Sequence, residues 1–222
     1  MNTPTLESLQ AHLIDHPLVA HLQTELRSTA TPHGRFRDLT ERIGQLLAYE
    51  ALRDAPRKSH TVRTPLEEYE GSQLVGPITI VPILRAGMGP ATGMAQLIPE
   101  SQVGHVGMFR DEKSLTPVSY YVKLPANIAD GTSLLVDPML ATGGSASAAV
   151  HVLKQRKCTD IRFLCLVASP EGIAKLNADH PDVPIYTAAI DRKPSSARGY
   201  KFAAGSITRF SLRALIASAK SV

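Results

Sequence analysis

The stretch Leu134-Leu135-Val136-Asp137-Pro138-Met139-Leu140-Ala141-Thr142-Gly143-Gly144-Ser145 decides the fold. It opens with a short apolar run of branched side chains that ends in a carboxylate, and it continues as a loop of small residues. The alanine- and valine-rich residues that follow, 146–153, suit a helix packed on a sheet. We therefore predict a buried strand, a tight loop and a helix N-terminus, which together form an arrangement that holds phosphate groups.

The chemistry of this loop favours a phosphorylated sugar. The N–H groups of residues 142–145 have no acceptors within the predicted helix, glycine allows close approach of the backbone, and two hydroxyl groups can donate to phosphate oxygens. Asp137, at the strand end, suits the hydroxyl groups of the sugar. Two common phosphate loops are excluded, because no lysine precedes the serine and no G-x-G-x-x-G is present. From the loop alone, a glycine-rich turn without a ligand remains the alternative.

Residues 137–145 resemble the phosphoribosyl-diphosphate (PRPP) signature of type I phosphoribosyltransferases, and Asp-Pro-Met-Leu resembles the uracil phosphoribosyltransferases in particular. Residues 83–87, 110–112, 117–125 and 185–191 resemble further blocks of that family, in the same order. The resemblance extends from about residue 38 to residue 191. It implies PRPP binding by Arg85, Arg110, Asp137, Pro138, Met139, Leu140, Ala141, Thr142, Gly143, Gly144 and Ser145.

The reaction that the resemblance implies is transfer of ribose 5-phosphate from PRPP to a base nitrogen, with release of pyrophosphate. Arg85, Arg110 and Asp137 are the predicted catalytic residues. The two arginines would contact the diphosphate, and Asp137 would hold the ribose hydroxyls and favour a cationic sugar. Spacing alone also allows Arg85 to be an exposed arginine at a strand end. Mg²⁺ is expected to bind mainly through PRPP, since the sequence shows no protein metal cage.

Strands that alternate with helices predict an α/β fold, a mostly parallel sheet flanked by helices, in a single domain over residues 1–222. An N-terminal helical segment and a projecting β-arm are added to it. Residues 114–125 resemble the projecting arm or flap that closes over the active site in this family; an edge hairpin in a dimer contact is an alternative that is compatible with it. Residues 55–73 are interpreted as an irregular crossing or short arm. The predicted strands are 77–84, 103–109, 161–168 and 183–189; the predicted helices are 35–54, 144–156, 170–177 and two within residues 5–29, broken at His16-Pro17.

Composition places broad limits on the protein. The formal charge of +4 is spread along the chain, so it fits a solvated surface or a polyanionic substrate, and we predict no nucleic-acid partner. No apolar run approaches the roughly 18 residues of a membrane span, and residues 1–4 do not resemble a signal peptide, so a cytoplasmic protein without membrane contact is expected. Cys158 and Cys165 do not indicate a disulfide framework.

The sequence departs from the family near its C-terminus. Gly199 and Tyr200 match, but the Gly-Leu-Gly-Asp core that follows in the family is missing, so the base-binding residues stay unassigned. A terminal helix around Leu212, Leu215 and Ile216 is predicted in addition. We expect PRPP and uracil as substrates, a homo-oligomer (dimer or tetramer) and a possible GTP effector, all from the resemblance. The alternatives are a phosphoribosyltransferase with another base acceptor and a non-catalytic PRPP-sensing regulator.

Overall fold

The computed structural model describes residues 10–110 and 117–191, with the side chains of 109, 110, 117 and 118 left out. The strands are β1 (His12–Leu13), β2 (Arg57–Arg63), β3 (Glu68–Leu74), β4 (Ile78–Leu84), β5 (Gln102–Val103), β6 (His105–Arg110), β7 (Pro117–Lys123), β8 (Thr132–Val136), β9 (Met139–Leu140), β10 (Asp160–Cys165), β11 (Val167–Ala168) and β12 (Ile185–Thr187). The helices are α1 (Pro17–Leu26), α2 (His33–Ala51), α3 (Met88–Leu97), α4 (Gly144–Gln155) and α5 (Pro170–Asp179), with a short 3-10 turn at Ile128–Asp130. None of the helices in the described ranges has the length and apolar character required to cross a membrane.

The main sheet has the strand order β1-β12-β10-β8-β4-β6-β7, and β5 pairs with β4 beside this path. Its strand pairs are parallel except for β6 and β7, which are antiparallel. All of β8 is buried, as are the first six residues of β4. Strands covered on both faces have continuous apolar sequences, which is why these two were predictable. The predicted mostly parallel α/β sheet is confirmed.

Helices cover both faces of the sheet. Leu134 and Val136 of β8 point into a core cluster that includes buried residues of α1, α2 and α3. Leu135, between them, points into a second cluster that includes buried residues of α4 and α5. The alternation follows from the period of two in a strand, so one short apolar run supplies side chains to both cores.

The order of connections creates a switch point between β4 and β8. The chain leaves β4 through α3 toward β6, but leaves β8 through α4 and α5 toward β10 and β12, on the opposite side. The two strands are adjacent, from Ile78 beside Thr132 to Pro82 beside Val136. In open α/β sheets, ligands bind outside the carboxyl ends of strands at such a point. The loops after β4 and β8, which carry the predicted site, therefore begin side by side.

The N-terminal prediction was wrong in one part. Described residues 10–16 contain no helix, and β1 pairs with β12 in parallel, with the His12 and Tyr186 rings stacked at 4.7 Å between centroids. The spacing of leucine residues suggested a helix here, but it gives no information about pairing with β12, which is far away along the chain. The predicted break at His16-Pro17 is confirmed, because Pro17 begins α1 and His16 Nδ1 accepts a hydrogen bond from the Leu18 N–H (3.1 Å).

Residues 55–73 form a short arm, one of the two predicted possibilities, and not an irregular crossing; helix α3 was missed. Strands β2 and β3 form an antiparallel hairpin from Arg57 beside Leu74 to Arg63 beside Glu68, exposed along almost its whole length. With neither face buried, the hairpin lacks the apolar alternation that identifies strands. Helix α3 starts in Met88-Gly89-Pro90, where no helix was predicted, although proline is tolerated in a first helical turn.

The predicted flap lies partly outside the described residues. Its described part, β7, is an edge strand antiparallel to β6, as the edge-hairpin interpretation requires. Within the described residues, the hairpin β2–β3 is a further exposed β-arm. The predicted terminal helix near residue 215 also lies outside the described residues.

Candidate active site

The loop after β8 is fixed to its neighbours by backbone hydrogen bonds. The Asp137 N–H donates to the Leu164 carbonyl (3.2 Å), and the Pro138 carbonyl accepts from the Leu166 N–H (3.1 Å). Within the loop, β9 pairs in parallel with β11. Pro138, Met139 and Leu140 therefore act as a continuation of the sheet, and the chain is free to turn only at residues 141–143.

Asp137 is the carboxylate at the end of the central strand. Although it keeps part of its surface open to solvent, burial raises the pKa of its carboxyl to about 7, and a hydrogen bond from the Met139 N–H opposes the rise. At neutral pH the carboxyl is therefore only about half ionised, and a cationic or hydrogen-bonding ligand would favour its charged form. A carboxyl with a raised pKa at a switch point is a candidate functional group.

A left-handed glycine connects the loop to α4. Gly143 has a φ of 76° and caps the helix without a side-chain hydrogen bond. A Cβ at this position would lie 2.9 Å from the Gly172 carbonyl oxygen of α5. The first-turn N–H groups of a helix have no intrahelical acceptors. With Thr142 exposed and Ser145 partly exposed beside them, these groups have the arrangement that the predicted anion site requires.

The loop after β4 approaches the end of β8 very closely. A Cβ on Gly87 would lie 2.5 Å from the Val136 carbonyl oxygen, so only glycine fits between the two strand ends. The Gly87 N–H donates to the Ile83 carbonyl (2.9 Å), and the Met88 N–H donates to the Arg85 carbonyl (3.2 Å). This tight turn leaves the Arg85 side chain exposed, as its predicted role requires, and the Leu84–Arg85 peptide is cis.

Arg110 lies at the same edge of the sheet. Strand β6 runs parallel to β4 with Gly107 beside Leu84, so Arg110 comes three residues beyond the end of β4. The backbone therefore places Arg110 at the carboxyl edge, next to the loop that carries Arg85. Its side chain is outside what the structure describes.

Sequence reasoning missed the second layer of the site. Ser169 and Gly172, at the start of α5, contact the loop of residues 137–145, called the phosphate loop here, through its backbone carbonyl oxygens. Cys165 lies beside Asp137 and Thr187; burial raises the pKa of its thiol to about 12, so it remains neutral. The Ser169-Pro170 pair, a helix-start signal next to a strand end, could have identified the first of these residues.

No protein metal centre is found in the described ranges, where no three His, Cys, Asp or Glu side chains are grouped to hold an ion. A cavity of about 550 Å³ runs along α4 and includes Gly144 and Lys175. It lies beside the anion site, and Asp137 and Arg85 are not among the described residues that line it.

The comparisons with known proteins agree with this geometry. The family model for uracil phosphoribosyltransferase matches residues 13–201. The chain belongs to the uracil phosphoribosyltransferase family. A uracil phosphoribosyltransferase of Lactococcus lactis is 50% identical over 184 residues, 82% of this chain and 87% of that relative. One from Bacillus velezensis is 47% identical over 192 residues, 86% and 91% of the two chains.

Solved structures support the fold. The AQ2163 protein from Aquifex aeolicus is 30% identical, with a TM-score of 0.77 over 83% of this chain and 88% of that one. An adenine phosphoribosyl transferase from Trypanosoma brucei, solved with AMP, pyrophosphate and ribose-5-phosphate, has a TM-score of 0.56 at 12% identity. The match covers 90% of this chain and 99% of the Trypanosoma brucei chain, and it supports the fold alone.

The family match ends where the sequence departs from the family pattern. It reaches residue 201, one residue beyond Tyr200, the last residue that resembles the glycine-rich block. That segment lies outside the described residues, so the residues that contact the base stay unassigned.

Proposed function

We propose that the protein is a uracil phosphoribosyltransferase: it transfers ribose 5-phosphate from PRPP to uracil and releases UMP and pyrophosphate, a reaction of pyrimidine salvage. The observation that carries the proposal is the loop of residues 137–145, which has the PRPP signature and lies at the switch point between β4 and β8. Family membership over residues 13–201 supports uracil as the acceptor.

The phosphate loop is assigned to the 5′-phosphate of PRPP. The N–H groups at the start of α4 and the hydroxyls of Thr142 and Ser145 would donate to its oxygens. This contact holds a part of the substrate that does not react. Its contribution is to fix the position of the ribose, so that the reaction with the base takes place between aligned partners.

Charge stabilisation is assigned to the other two predicted groups. Asp137, as a carboxylate, would accept hydrogen bonds from the ribose hydroxyls and favour the positive charge that develops on the sugar. Arg85 and Arg110 would contact the departing pyrophosphate. Mg²⁺, bound mainly through PRPP, would neutralise part of that charge.

The acceptor is tested by product formation with a panel of bases. Pyrophosphate release is measured with Mg²⁺ and PRPP against uracil, other pyrimidines and purines, with Arg85→Ala as the control. Release with uracil that is lost in the control supports the proposal. Release with another base alone would reassign the acceptor, and PRPP binding with no release on any base would favour a regulatory protein. Repeating the assay with GTP tests whether GTP is an effector.

We also propose that the protein is a homo-oligomer. The exposed hairpin β2–β3 and its turn present Leu66 at 96% and Tyr69 at 60% of their surface, with the exposed Val62 directly opposite Tyr69, and grouped exposed apolar side chains mark protein–protein contact sites. Light scattering after size-exclusion chromatography should give a multiple of the 23.9 kDa chain mass. A monomer at micromolar concentration would contradict this proposal.

A further inference from the structure

Ser169 lies between the phosphate loop and α5, and its hydroxyl and N–H groups together make three hydrogen bonds. It is the N-cap of α5 and is fully buried. Its Oγ accepts from the Gly172 N–H (2.9 Å) and donates to the Ala141 carbonyl. Its own N–H donates to the Leu140 carbonyl (2.9 Å). Two consecutive carbonyls of the loop are thus held by one residue.

Gly172, in the first turn of α5, has no side chain that would separate the phosphate loop from the helix. A Cβ on Gly172 would lie 2.6 Å from the Leu140 oxygen and 2.7 Å from the Ala141 oxygen. The loop carbonyls therefore pack directly on the backbone of α5, and their direction is fixed by contact as well as by hydrogen bonds.

The direction of these carbonyls determines where the loop N–H groups point. In a planar trans peptide the N–H is directed opposite to the C=O of the same peptide unit. With the Ala141 oxygen held by Ser169, the Thr142 N–H must point away from α5, toward the open side of the loop. The Leu140 carbonyl, held by the Ser169 N–H, directs the Ala141 N–H in the same way.

We propose that Ser169 is a positioning residue for PRPP: through the Ala141 carbonyl it directs the Thr142 N–H at the 5′-phosphate. This inference rests on the proposed function, since it assumes that the anion in the loop is the PRPP phosphate. Without the hydroxyl, the Ala141–Thr142 peptide loses its buried partner and can rotate. Its carbonyl oxygen would then face the phosphate and repel it.

The test distinguishes the effect of losing the Ser169 hydroxyl group on PRPP binding from the effect of losing the N-cap on helix stability. Ser169→Ala and Ser169→Gly both remove the hydroxyl, but glycine is the better N-cap, so the alanine variant loses more helix stability. Calorimetry with Mg²⁺ and PRPP, without uracil, should show roughly tenfold weaker binding in both variants, the effect of one lost hydrogen bond. Ser169→Thr, which keeps the hydroxyl, should restore the affinity. In turnover assays the KM for uracil and kcat should stay within about twofold, because only PRPP binding is affected.

A matched control is Ser133→Ala, at a buried serine in β8 four residues before Asp137. It should leave PRPP affinity unchanged. Folded Ser169→Ala and Ser169→Gly variants with wild-type PRPP affinity would overturn the inference, as would a loss that follows helix stability instead of the hydroxyl. A wild-type protein that binds PRPP but forms no UMP would count against the proposed function and leave this comparison of affinities intact.

Discussion

At the scale of single residues, the environment of Asp137 couples binding to pH. Burial raises the pKa of its carboxyl to about 7, so the residue is mostly neutral at pH 6 and mostly ionised at pH 8. In the proposed function, the ribose hydroxyls of PRPP bind the carboxylate form of Asp137. We therefore expect kcat/KM for PRPP to fall about tenfold for each pH unit below 7 and to level off above it.

The comparison for this pH profile is Asp137→Asn. It should lower kcat/KM by about a hundredfold or more, because charge stabilisation is lost. PRPP itself titrates in this range, so the informative quantity is the ratio of wild type to variant at each pH. A ratio that does not change between pH 6 and 8 would contradict the role of Asp137.

The same carboxyl should reduce stability in the absence of ligand. Its pKa is raised from 3.8 to about 7 in the folded protein, so the folded state holds the proton more tightly than the unfolded state between these values. The free energy of unfolding should therefore fall as the pH rises through this window. At pH 8, Asp137→Asn should be more stable than wild type by roughly 2–4 kcal/mol in urea unfolding. Equal stability of wild type and Asp137→Asn at pH 8 would show that burial does not destabilise the ionised carboxyl.

Two adjacent glycines should respond differently to alanine. Gly143 has a φ of 76° and no room for a Cβ, so Gly143→Ala should lower the free energy of unfolding by about 1–2 kcal/mol or more. Gly144 begins α4 and has no atom within 4 Å of an ideal Cβ, so Gly144→Ala should be neutral or stabilising by up to about 1 kcal/mol. Urea unfolding of the two variants measures the difference. Similar values for both would contradict the geometry of the loop.

The sequence was informative about residues whose chemistry is local. Asp137 and Gly143 could be predicted because a carboxylate, a glycine pair and a helix start follow one another along the chain. Ser169 could be predicted as the start of a helix, but its contact with Ala141 could not, since the two residues are 28 positions apart and the contact depends on the parallel alignment of β9 and β11. Contacts of that kind arise only when the sheet has formed.

At the scale of elements, a buried arginine connects α2 to β10. Arg162 donates to the Ala51 carbonyl at the end of α2, and it pairs with Asp54 (2.5 Å) and Asp160 (3.0 Å). Arg162→Ala would leave a buried carbonyl without its donor. We expect a loss of about 2–3 kcal/mol in the free energy of unfolding, since Asp54 is largely exposed and contributes little.

Activity should separate this structural role from catalysis. Arg162 contacts the end of α2, whereas the loop of residues 137–145 follows β8 at the carboxyl edge of the sheet. Folded Arg162→Ala should therefore keep the PRPP affinity of wild type, and the exposed Arg156→Ala should change neither quantity. Loss of PRPP affinity in a folded Arg162→Ala protein would contradict this separation.

Elements were predictable where burial leaves a pattern. Strands β4 and β8 have apolar runs because they contribute side chains to both cores, and helix α2 has an apolar face because it packs into the first of them. Hairpin β2–β3 has no buried face, and β1 is two residues long, so neither has a periodic pattern. Exposed and very short strands exist because of pairing with another strand, which a single segment of sequence does not show.

At the scale of the whole molecule, the connections of the sheet explain why distant motifs form one site. Arg85, Arg110 and Asp137 are spread over 53 positions, yet β4, β6 and β8 bring their backbone to the same edge. The order of alternating strands and helices predicted this edge, because parallel strands share a carboxyl end. Acceptor recognition could not be predicted in the same way, since the segment after residue 200 departs from the family pattern.

The central claim is that the loop between β8 and α4 binds the 5′-phosphate of PRPP. The most direct measurement is a crystal structure of the protein with Mg²⁺ and PRPP. We expect the 5′-phosphate within hydrogen-bond distance of N–H groups of residues 142–145, the ribose hydroxyls on Asp137 and the diphosphate on Arg85. A PRPP molecule bound elsewhere, with this loop in contact only with solvent, would contradict the account.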